Sequence, residues 1–273
     1  MKKRYGFVIL NYRNVQETYA CVASIRASFP EHDRQIVIVD NGSECIDVLN
    51  QEYGNDPMIR IYGTRENLGF AKANNFGYRK IRREVDYVII CNSDVLFEDR
   101  NFLDQIDTLY DMYHFDVLGP DVINIDGVHM SPMYNEPFDL KKVDRMILSL
   151  KLSAITDFIG KLIPRRKNDG ERIRTSFTAI LDGSCYIYGT EYLKKHEEAF
   201  YNETFLFCEE MILRHLIDRE GGTMMYSDSL YIIHKSGKSI EYDRRSKRES
   251  RAFFNRECIK SLQIFRELLL EEK

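Results

Sequence analysis

Residues 6–43 read GFVILNYRNVQETYACVASIRASFPEHDRQIVIVDNGS, and the fold class follows from this stretch. Gly6–Leu10 and Ile36–Val39 are short, continuously apolar runs rich in β-branched residues. That is the pattern of parallel strands covered on both faces. Between them, the stretch 16–28 carries Tyr19, Val22, Ala23 and Ile25 at helical spacing, so the three segments predict a βαβ unit. The rhythm continues with a helix over 46–53, a strand over 59–62, a helix over 71–82 and the most apolar strand over 87–91. Such alternation predicts an α/β fold with a mostly parallel, Rossmann-like sheet and flanking helices. Ligands of these sheets sit beyond the carboxyl ends of the strands. The residues to inspect are therefore Asn11-Tyr12, Asp40–Ser43, Thr64–Asn67 and Asn92–Asp94.

Further along, a helix over 101–113 and a short strand near Val117 are expected, and the βα rhythm stops at Gly119-Pro120. Residues 121–176 read as irregular, apart from a basic amphipathic stretch over 140–167. A strand is expected over 183–188, helices over 192–198 and 209–219, two short strands around Met225 and Ile232, and a terminal helix over 246–270. One continuous domain is expected, with halves at 1–120 and 121–245 and a closing helix over 246–273.

Composition excludes several classes. At 44% hydrophobic and 30% charged residues over 273 positions, the chain is that of a folded globular protein. A formal net charge of -4 supplies no field for a polyanion, so no nucleic-acid partner is expected. The six cysteines contain no C-x-x-C pair, which argues against a zinc cluster and against a disulfide framework. The apolar run Phe7–Leu10 is too short for a signal-peptide core, and no run approaches the ~20 residues of a membrane-spanning helix. A cytoplasmic protein, with peripheral contact at the membrane's inner surface left open, is the expectation.

Several constellations carry chemistry, each with a plainer reading beside it. Asp40 ends a buried strand, where it either binds a nucleobase or ribose or caps the next helix. The run Asn67–Gly77 crowds glycine and asparagine at a strand-to-helix junction, where Gly69 permits close backbone approach and a helix start offers N–H groups to phosphate. Asp94, after the most buried strand, suits an oxygen-loving divalent cation bridging a diphosphate, or else simply turns the chain. Glu209-Glu210 opens a helix, either complementing its dipole or offering a general base to an acceptor hydroxyl. His234 leads into Lys235-Ser-Gly-Lys-Ser239, an imidazole metal ligand followed by two lysines suited to phosphate, or a filler histidine.

Taken in order, Val8–Tyr12, Val39–Ser43, Asn67–Ala71 with Asn74-Asn75, Asn92–Val95, Gly183, Glu209-Glu210 and His234 with Gly237 and Ser239 resemble the family 2 glycosyltransferases. The likeness is strongest to their bacterial rhamnosyltransferase-like branch and spans nearly the whole chain. The resemblance implies a GT-A fold and a nucleotide-diphosphate sugar donor. It also implies a divalent cation, Mg2+ or Mn2+, and a glycan or lipid-linked glycan acceptor in cell-surface polysaccharide synthesis. By that resemblance Asn11, Tyr12 and Asp40 hold the nucleobase, while Asn67, Gly69, Asn74 and Asn92 line the nucleotide pocket. Asp94 and His234 hold the metal, Glu210 is the catalytic base and Glu209 supports it. Asn92 stands where relatives carry the first carboxylate of a D-x-D element, Glu210 where Asp is commoner, and Ile212 where another Asp is frequent. Two alternatives compete. A sugar nucleotidyltransferase would carry a glycine-rich, basic loop after the first strand, but here that loop reads Asn11–Val15 without glycine. A non-catalytic scaffold would not need Asp94, Glu210 and His234 together.

The basic stretch yields the first testable outcome. Lys141, Lys142, Arg145, Lys151, Lys161, Arg165, Arg166 and Lys167 alternate with apolar groups, which reads either as a packed amphipathic helix or as a membrane-surface element. On an anionic bilayer each basic residue contributes about 1 kcal/mol, and salt screens the attraction. Sedimentation with anionic vesicles is expected to show binding that about 0.5 M salt removes and that changing Lys161, Arg165, Arg166 and Lys167 to Gln weakens. Absence of binding, or binding indifferent to both changes, retires the membrane element.

Overall fold

The computed structural model describes residues 2–155, 173–235 and 247–271. Lys161, Arg165, Arg166 and Lys167 of the basic stretch, and Gly237 and Ser239 beyond His234, lie outside the described residues.

The opening βαβ unit forms as expected: β1 (Arg4–Asn11), α1 (Val15–Ser28) and β2 (Asp33–Asp40), with β1 and β2 parallel and Asn11 opposite Asp40. Next come α2 (Ile46–Tyr53), β3 (Ile59–Gly63), α3 (Gly69–Ile81) and β4 (Tyr87–Asn92), all four strands running parallel. The rest comprises β5 (Val95–Leu96), α4 (Phe102–Tyr113), β6 (Val117–Asn124), α5 (Leu140–Ile155), β7 (Thr175–Ser176) and β8 (Cys185–Tyr188). The chain closes with α6 (Thr190–Lys195), α7 (Glu209–Arg219), β9 (Met224–His234) and α8 (Lys247–Leu270). One sheet runs in the order β3-β2-β1-β4-β8-β6-β9-β5, with β7 on β9. Only β8, β5 and β7 oppose the common direction among the described strands. The fold is mixed α/β with a mostly parallel sheet and flanking helices.

Strand alternation divides the core. Phe7, Ile9, Ile36 and Ile38 face α1 and α4, where Phe29, Phe97 and Phe102 pack edge to face or tilted. Val8, Val37 and Val39 face α3 and α7 with Tyr78, Ile81 and Leu213. A third cluster joins α5, α7 and α8 through Val143, Ile147, Ile212, Leu262 and Phe265. Ile212 is wholly buried there, so the position that often carries Asp in relatives is here part of an apolar seam.

Two expectations need correction. β6 does not stop at Gly119-Pro120 but runs to Asn124, because its parallel partner β9 continues alongside it. The two short strands expected around Met225 and Ile232 are one strand, whose pairing jumps from Pro120 opposite Ser227 to Asp121 opposite Tyr231. Asp228, Ser229 and Leu230 take up that jump, and the interruption is what the sequence displayed as a gap. The described part of the basic amphipathic stretch is the helix α5, whose residues Val143, Ile147 and Leu150 pack into the third core cluster.

Helix α3 lies close on the sheet at Gly77, where a Cβ would stand 2.5 Å from Val8 Cγ1 and 2.9 Å from Val39 Cγ2. In an exposed helix Gly→Ala stabilises by about 1 kcal/mol, but overpacking a core costs about 1–3 kcal/mol. The clash wins, so Gly77→Ala is expected to lower the urea midpoint by roughly 1–2 kcal/mol equivalent. An unchanged or raised midpoint contradicts the close approach.

Candidate functional site

Beyond the carboxyl ends of β1, β2, β4 and β9 lie Asn11, Asp40, Asn92 and His234. β8 and β5 run the other way, so their starts come to the same end of the sheet and bring Asp182–Ser184 and Asp94 with them.

On the β1–β2 side the polar groups hold one another. Asn11 Nδ2 donates to Asp40 Oδ1 at 2.9 Å and to Ser43 Oγ at 3.2 Å, while Thr18 Oγ1 donates to Asn11 Oδ1 at 2.9 Å. Asp40 also accepts from the Ser43 hydroxyl and, at 2.9 Å, from the Cys45 N–H just before α2. The plainer capping role is thus realised at Asp40, and its buried carboxylate also fixes Asn11. Tyr12 stays partly exposed, with the Arg13 guanidinium 5.0 Å from its ring centroid. A second belt ties Asn41 to the α3 junction: Nδ2 donates to Asn67 Oδ1 and Gly69 O, and Oδ1 accepts the Leu68 N–H at 2.9 Å.

The α3 start differs from expectation. Gly69 has φ +81°, and a Cβ there would meet the Phe205 carbonyl oxygen at 2.2 Å. The close approach that Gly69 permits is made by the chain itself. The Phe70 N–H donates to Phe205 O at 2.7 Å and the Gly69 N–H to Asn67 Oδ1 at 2.8 Å. Both donors are therefore spent inside the protein and do not offer themselves to phosphate. Asn74 is likewise buried, with Nδ2 on Phe70 O and Oδ1 lacking a hydrogen-bond partner. Asn67 and Gly69 brace the junction between β3 and α3, and Asn74 is buried one turn into that helix. Asn92 is partly exposed, and its backbone N–H bonds to Ser184 O at 3.0 Å.

The structure brings Asp94 and His234 together, Oδ1 to Nε2 at 3.2 Å, across the β5–β9 pairing that sets Val95 opposite His234. Burial works against the imidazolium, but the hydrogen bond and charge of Asp94, with Asp182 adding, hold His234 above its ordinary pKa. Lys235 locks the arrangement: its N–H donates to Asp94 O at 3.0 Å and its ammonium meets Glu17 of α1 at 2.6 Å. A carboxylate and an imidazole are both donors that a divalent cation accepts, and a cation bound here would replace the hydrogen bond between them. Among the described residues no third His, Cys, Asp or Glu completes a cation cage.

Glu209 and Glu210 open α7 almost wholly buried. Burial lifts Glu210 to a pKa of about 7, its own backbone amide opposing and Asp182 adding to the rise. Burial lifts Glu209 to about 8 with the charge of Glu210 adding, opposed by its backbone amide and the Thr204 side chain. The turn that presents them is strained: Phe207 and Cys208, both non-glycine, have φ of 71° and 66°. Each such residue costs of order 1–3 kcal/mol, and consecutive outliers beside buried carboxylates mark a position held by its surroundings.

Asp182 and Glu17 escaped the sequence reading, and Lys235, expected to face phosphate, is paired with Glu17 instead. A signal existed for Asp182, because Asp182-Gly-Ser184 after Leu181 has the acid-glycine-serine make-up of Asp40–Ser43. It precedes its strand, however, and the rule of looking after strands passes over the start of an antiparallel one.

The sequence profile of Glycosyl transferase family 2 matches residues 7–182. The chain belongs to that family. No curated protein matches this family 2 chain. Among solved structures it is similar to S. aureus TarS. The 1–349 portion in complex with UDP-GlcNAc superposes with TM-score 0.56 at 16% identity, over 87% of this chain and 60% of that one. The complex of the same portion with UDP gives 0.55 at 18% identity, over 85% and 60%. A longer TarS crystal chain gives 0.53 at 17% identity, over 86% of this chain and 37% of that chain. The family 2 chain thus spans about 60% of the length of the TarS portion it matches, and the likeness is one of fold.

The buried acids make a stability signature. A carboxyl raised in the folded state favours folding when protonated, so its contribution is present below pH 4.5 and lost as pH rises through about 7 for Glu210 and about 8 for Glu209. Glu210→Gln carries no charge to desolvate. It is expected to exceed the unaltered chain in stability at pH 9 by on the order of 3 kcal/mol, and to lose that advantage at pH 4.5. Urea titrations at the two pH values check this, and a pH-independent difference speaks against a buried, raised carboxyl.

Proposed function

We propose that this glycosyltransferase-family chain is an inverting, metal-dependent enzyme of the rhamnosyltransferase-like branch. It moves a sugar from a nucleotide-diphosphate donor to a hydroxyl of a glycan or lipid-linked glycan in cell-surface polysaccharide synthesis. The observation that carries the reading is Glu210, a buried carboxyl with pKa about 7 on a strained turn, at the sheet end that also holds Asp94 and His234. A base that works near neutrality is what an acceptor alcohol demands.

In this reading residues 1–120 form the donor half. The pre-set Asn11–Asp40 pair and the exposed face of Tyr12 receive the nucleobase, and the junction braced by Asn67 and Gly69 confines the nucleotide. Asp94 and His234 hold a divalent cation, which when bound neutralises charge on the leaving diphosphate. Asn92, the last residue of β4, brings a neutral amide to the same end of the sheet. Residues 121–245 form the acceptor half. Glu210 takes the proton of the attacking hydroxyl while that oxygen bonds to the anomeric carbon, and the carbon–oxygen bond to the diphosphate breaks with its electron pair leaving on the diphosphate. Glu209, charged with more difficulty, plays the supporting part beside it. The TarS portion was crystallised with UDP and with UDP-GlcNAc, which makes uridine diphosphate sugars the first donors to try. Peripheral contact with the inner membrane surface, through the basic stretch, brings a lipid-linked acceptor within reach.

A screen of nucleotide sugars for hydrolysis, transfer and thermal stabilisation, with and without Mn2+ or Mg2+, tests the reading. Asp94→Ala is expected to abolish turnover and the metal-dependent part of nucleoside diphosphate binding, with His234→Ala milder. Glu210→Gln is expected to cut kcat by about 100-fold with donor affinity nearly intact, and Glu209→Gln to matter less. Because the base must be ionised, log kcat is expected to rise with pH and level off near 7. Normal rates in the Glu210 variant, or calorimetric nucleotide binding unchanged in the Asp94 variant, refute the corresponding assignment.

A further inference from the structure

Asp182 is bolted down by one of its oxygens and idle at the other. Oδ1 accepts the Ser184 N–H at 3.0 Å and the Ser184 hydroxyl at 2.6 Å. The Ser184 carbonyl in turn accepts the Asn92 N–H at 3.0 Å, which ties the turn to the strand end leading into Asp94. Oδ2 has no hydrogen-bond partner among the described residues, and Asp182 is partly exposed. Next to it the chain leaves room: a Cβ added to Gly183 would meet only the Tyr186 hydroxyl, at 3.9 Å. That hydroxyl belongs to a wholly buried ring and is itself without a hydrogen-bond partner. An idle carboxylate oxygen, an empty space and an unpartnered phenol therefore share one turn. Ile180, two residues before Asp182, packs in one apolar cluster with Cys208 and Met211, which flank Glu209-Glu210, and the charge of Asp182 raises both Glu210 and His234.

We propose that Asp182 Oδ2 accepts a hydrogen bond from a second hydroxyl of the acceptor, adjacent to the one that Glu210 deprotonates, so that the site selects a vicinal diol over a lone hydroxyl. This rests on the transferase reading above. In the transfer, the attacking oxygen gives its proton to Glu210 and gains the anomeric carbon, and the diphosphate leaves with the bonding pair. The hydroxyl on Asp182 keeps its proton throughout and serves only to orient its neighbour. A hydrogen bond to an ionised acceptor is about twice as strong as a neutral one, and a site built to hold a hydroxyl discriminates against a substrate lacking it.

The test uses the donor that the screen selects and two simple acceptors at equal concentration, ethylene glycol and propan-1-ol, which differ by one hydroxyl replaced with a methyl. Glycoside products are quantified by mass spectrometry. The unaltered chain is expected to favour ethylene glycol by about tenfold or more. Asp182→Ala is expected to reduce that ratio to about two, the statistical value for two equivalent hydroxyls. Asp182→Asn keeps an oxygen for Ser184 and is expected to give an intermediate ratio, at least about threefold below the unaltered chain. Glu210→Gln is expected to slow both transfers and leave the ratio as it is. If Asp182→Ala does not fold, the Asp182→Asn ratio decides alone. A diol preference absent from the unaltered chain, or retained in full by the folded Asp182 variants, overturns this assignment while leaving the transferase reading standing. Failure of the unaltered chain to turn over any nucleotide sugar overturns both.

Discussion

β8 pairs antiparallel to β4, with Cys185 opposite Cys91, inside a run of strands that otherwise share one direction. The chemistry of the site depends on that reversal. At its carboxyl end a parallel sheet gathers only the residues that end its strands, which here are Asn11, Asp40 and Asn92. A reversed strand delivers its own beginning to that end, and so Asp182–Ser184 arrives beside Asn92. The same logic operates at the far edge, where two-residue β5 opposes β9 and sets Asp94 against His234 across 3.2 Å. In a sheet of uniform direction the start of β8 would lie at the opposite end from Asn92.

The energetics of the two sides of the site differ in kind. Around Asn11 and Asn41 most polar atoms are spent within the protein: Asn11 on Asp40 and Thr18, Asn41 on Leu68 and Gly69, and the N–H groups of Gly69 and Phe70 on Asn67 and Phe205. Such a network fixes shape before any ligand arrives, so little ordering is left to be done on binding. Around Glu209-Glu210 two carboxyls are buried against their preference for charge, next to two successive non-glycine residues in left-handed conformations, and the nearby Tyr186 hydroxyl is unpartnered. Buried polar groups left without partners cost about 1–3 kcal/mol each, and such cost is retained where it serves reactivity.

The first half of the fold was legible because buried parallel strands write themselves as continuous apolar runs. Phe7–Leu10, Ile36–Val39 and Tyr87–Cys91 each fall inside a strand, and the helices between them keep the 3.6-residue period. The second half was less legible for identifiable reasons. β9 carries a three-residue jump in its pairing, which breaks the periodic signal into two pieces, and β6 holds a glycine and a proline that read as a stop. Asp94, His234, Glu209 and Glu210 were singled out as an ordered series because each stands at the start or end of a recognisable element. Gly69 and Asn74 were readable as residue types but not as roles. Nothing in Asn67–Gly77 announces that the Phe205 carbonyl, some 135 positions later, occupies the space beside Gly69. Asp182 was missed because its position before a strand gains meaning only from the strand's direction, which local sequence does not encode.

The Phe205 contact also explains how the two sides communicate mechanically. Phe205 O receives the Phe70 N–H, and the chain leaves Phe205 through Phe207 and Cys208 directly into Glu209-Glu210. Asn75, one residue past Asn74 on α3, grips the same segment further back: its Oδ1 accepts the Ala199 and Phe200 N–H groups, and its Nδ2 donates to Phe200 O at 2.8 Å. Helix α3, which begins at the junction braced by Asn67 and Gly69, therefore holds both ends of the segment that presents the carboxyls. The strain at Phe207 and Cys208 is opposed by these fixed points rather than released by a shift of α7. A carboxyl kept uncomfortable near neutrality needs such a rigid mounting, because a looser one would let water in and return Glu210 to the ordinary carboxylate range.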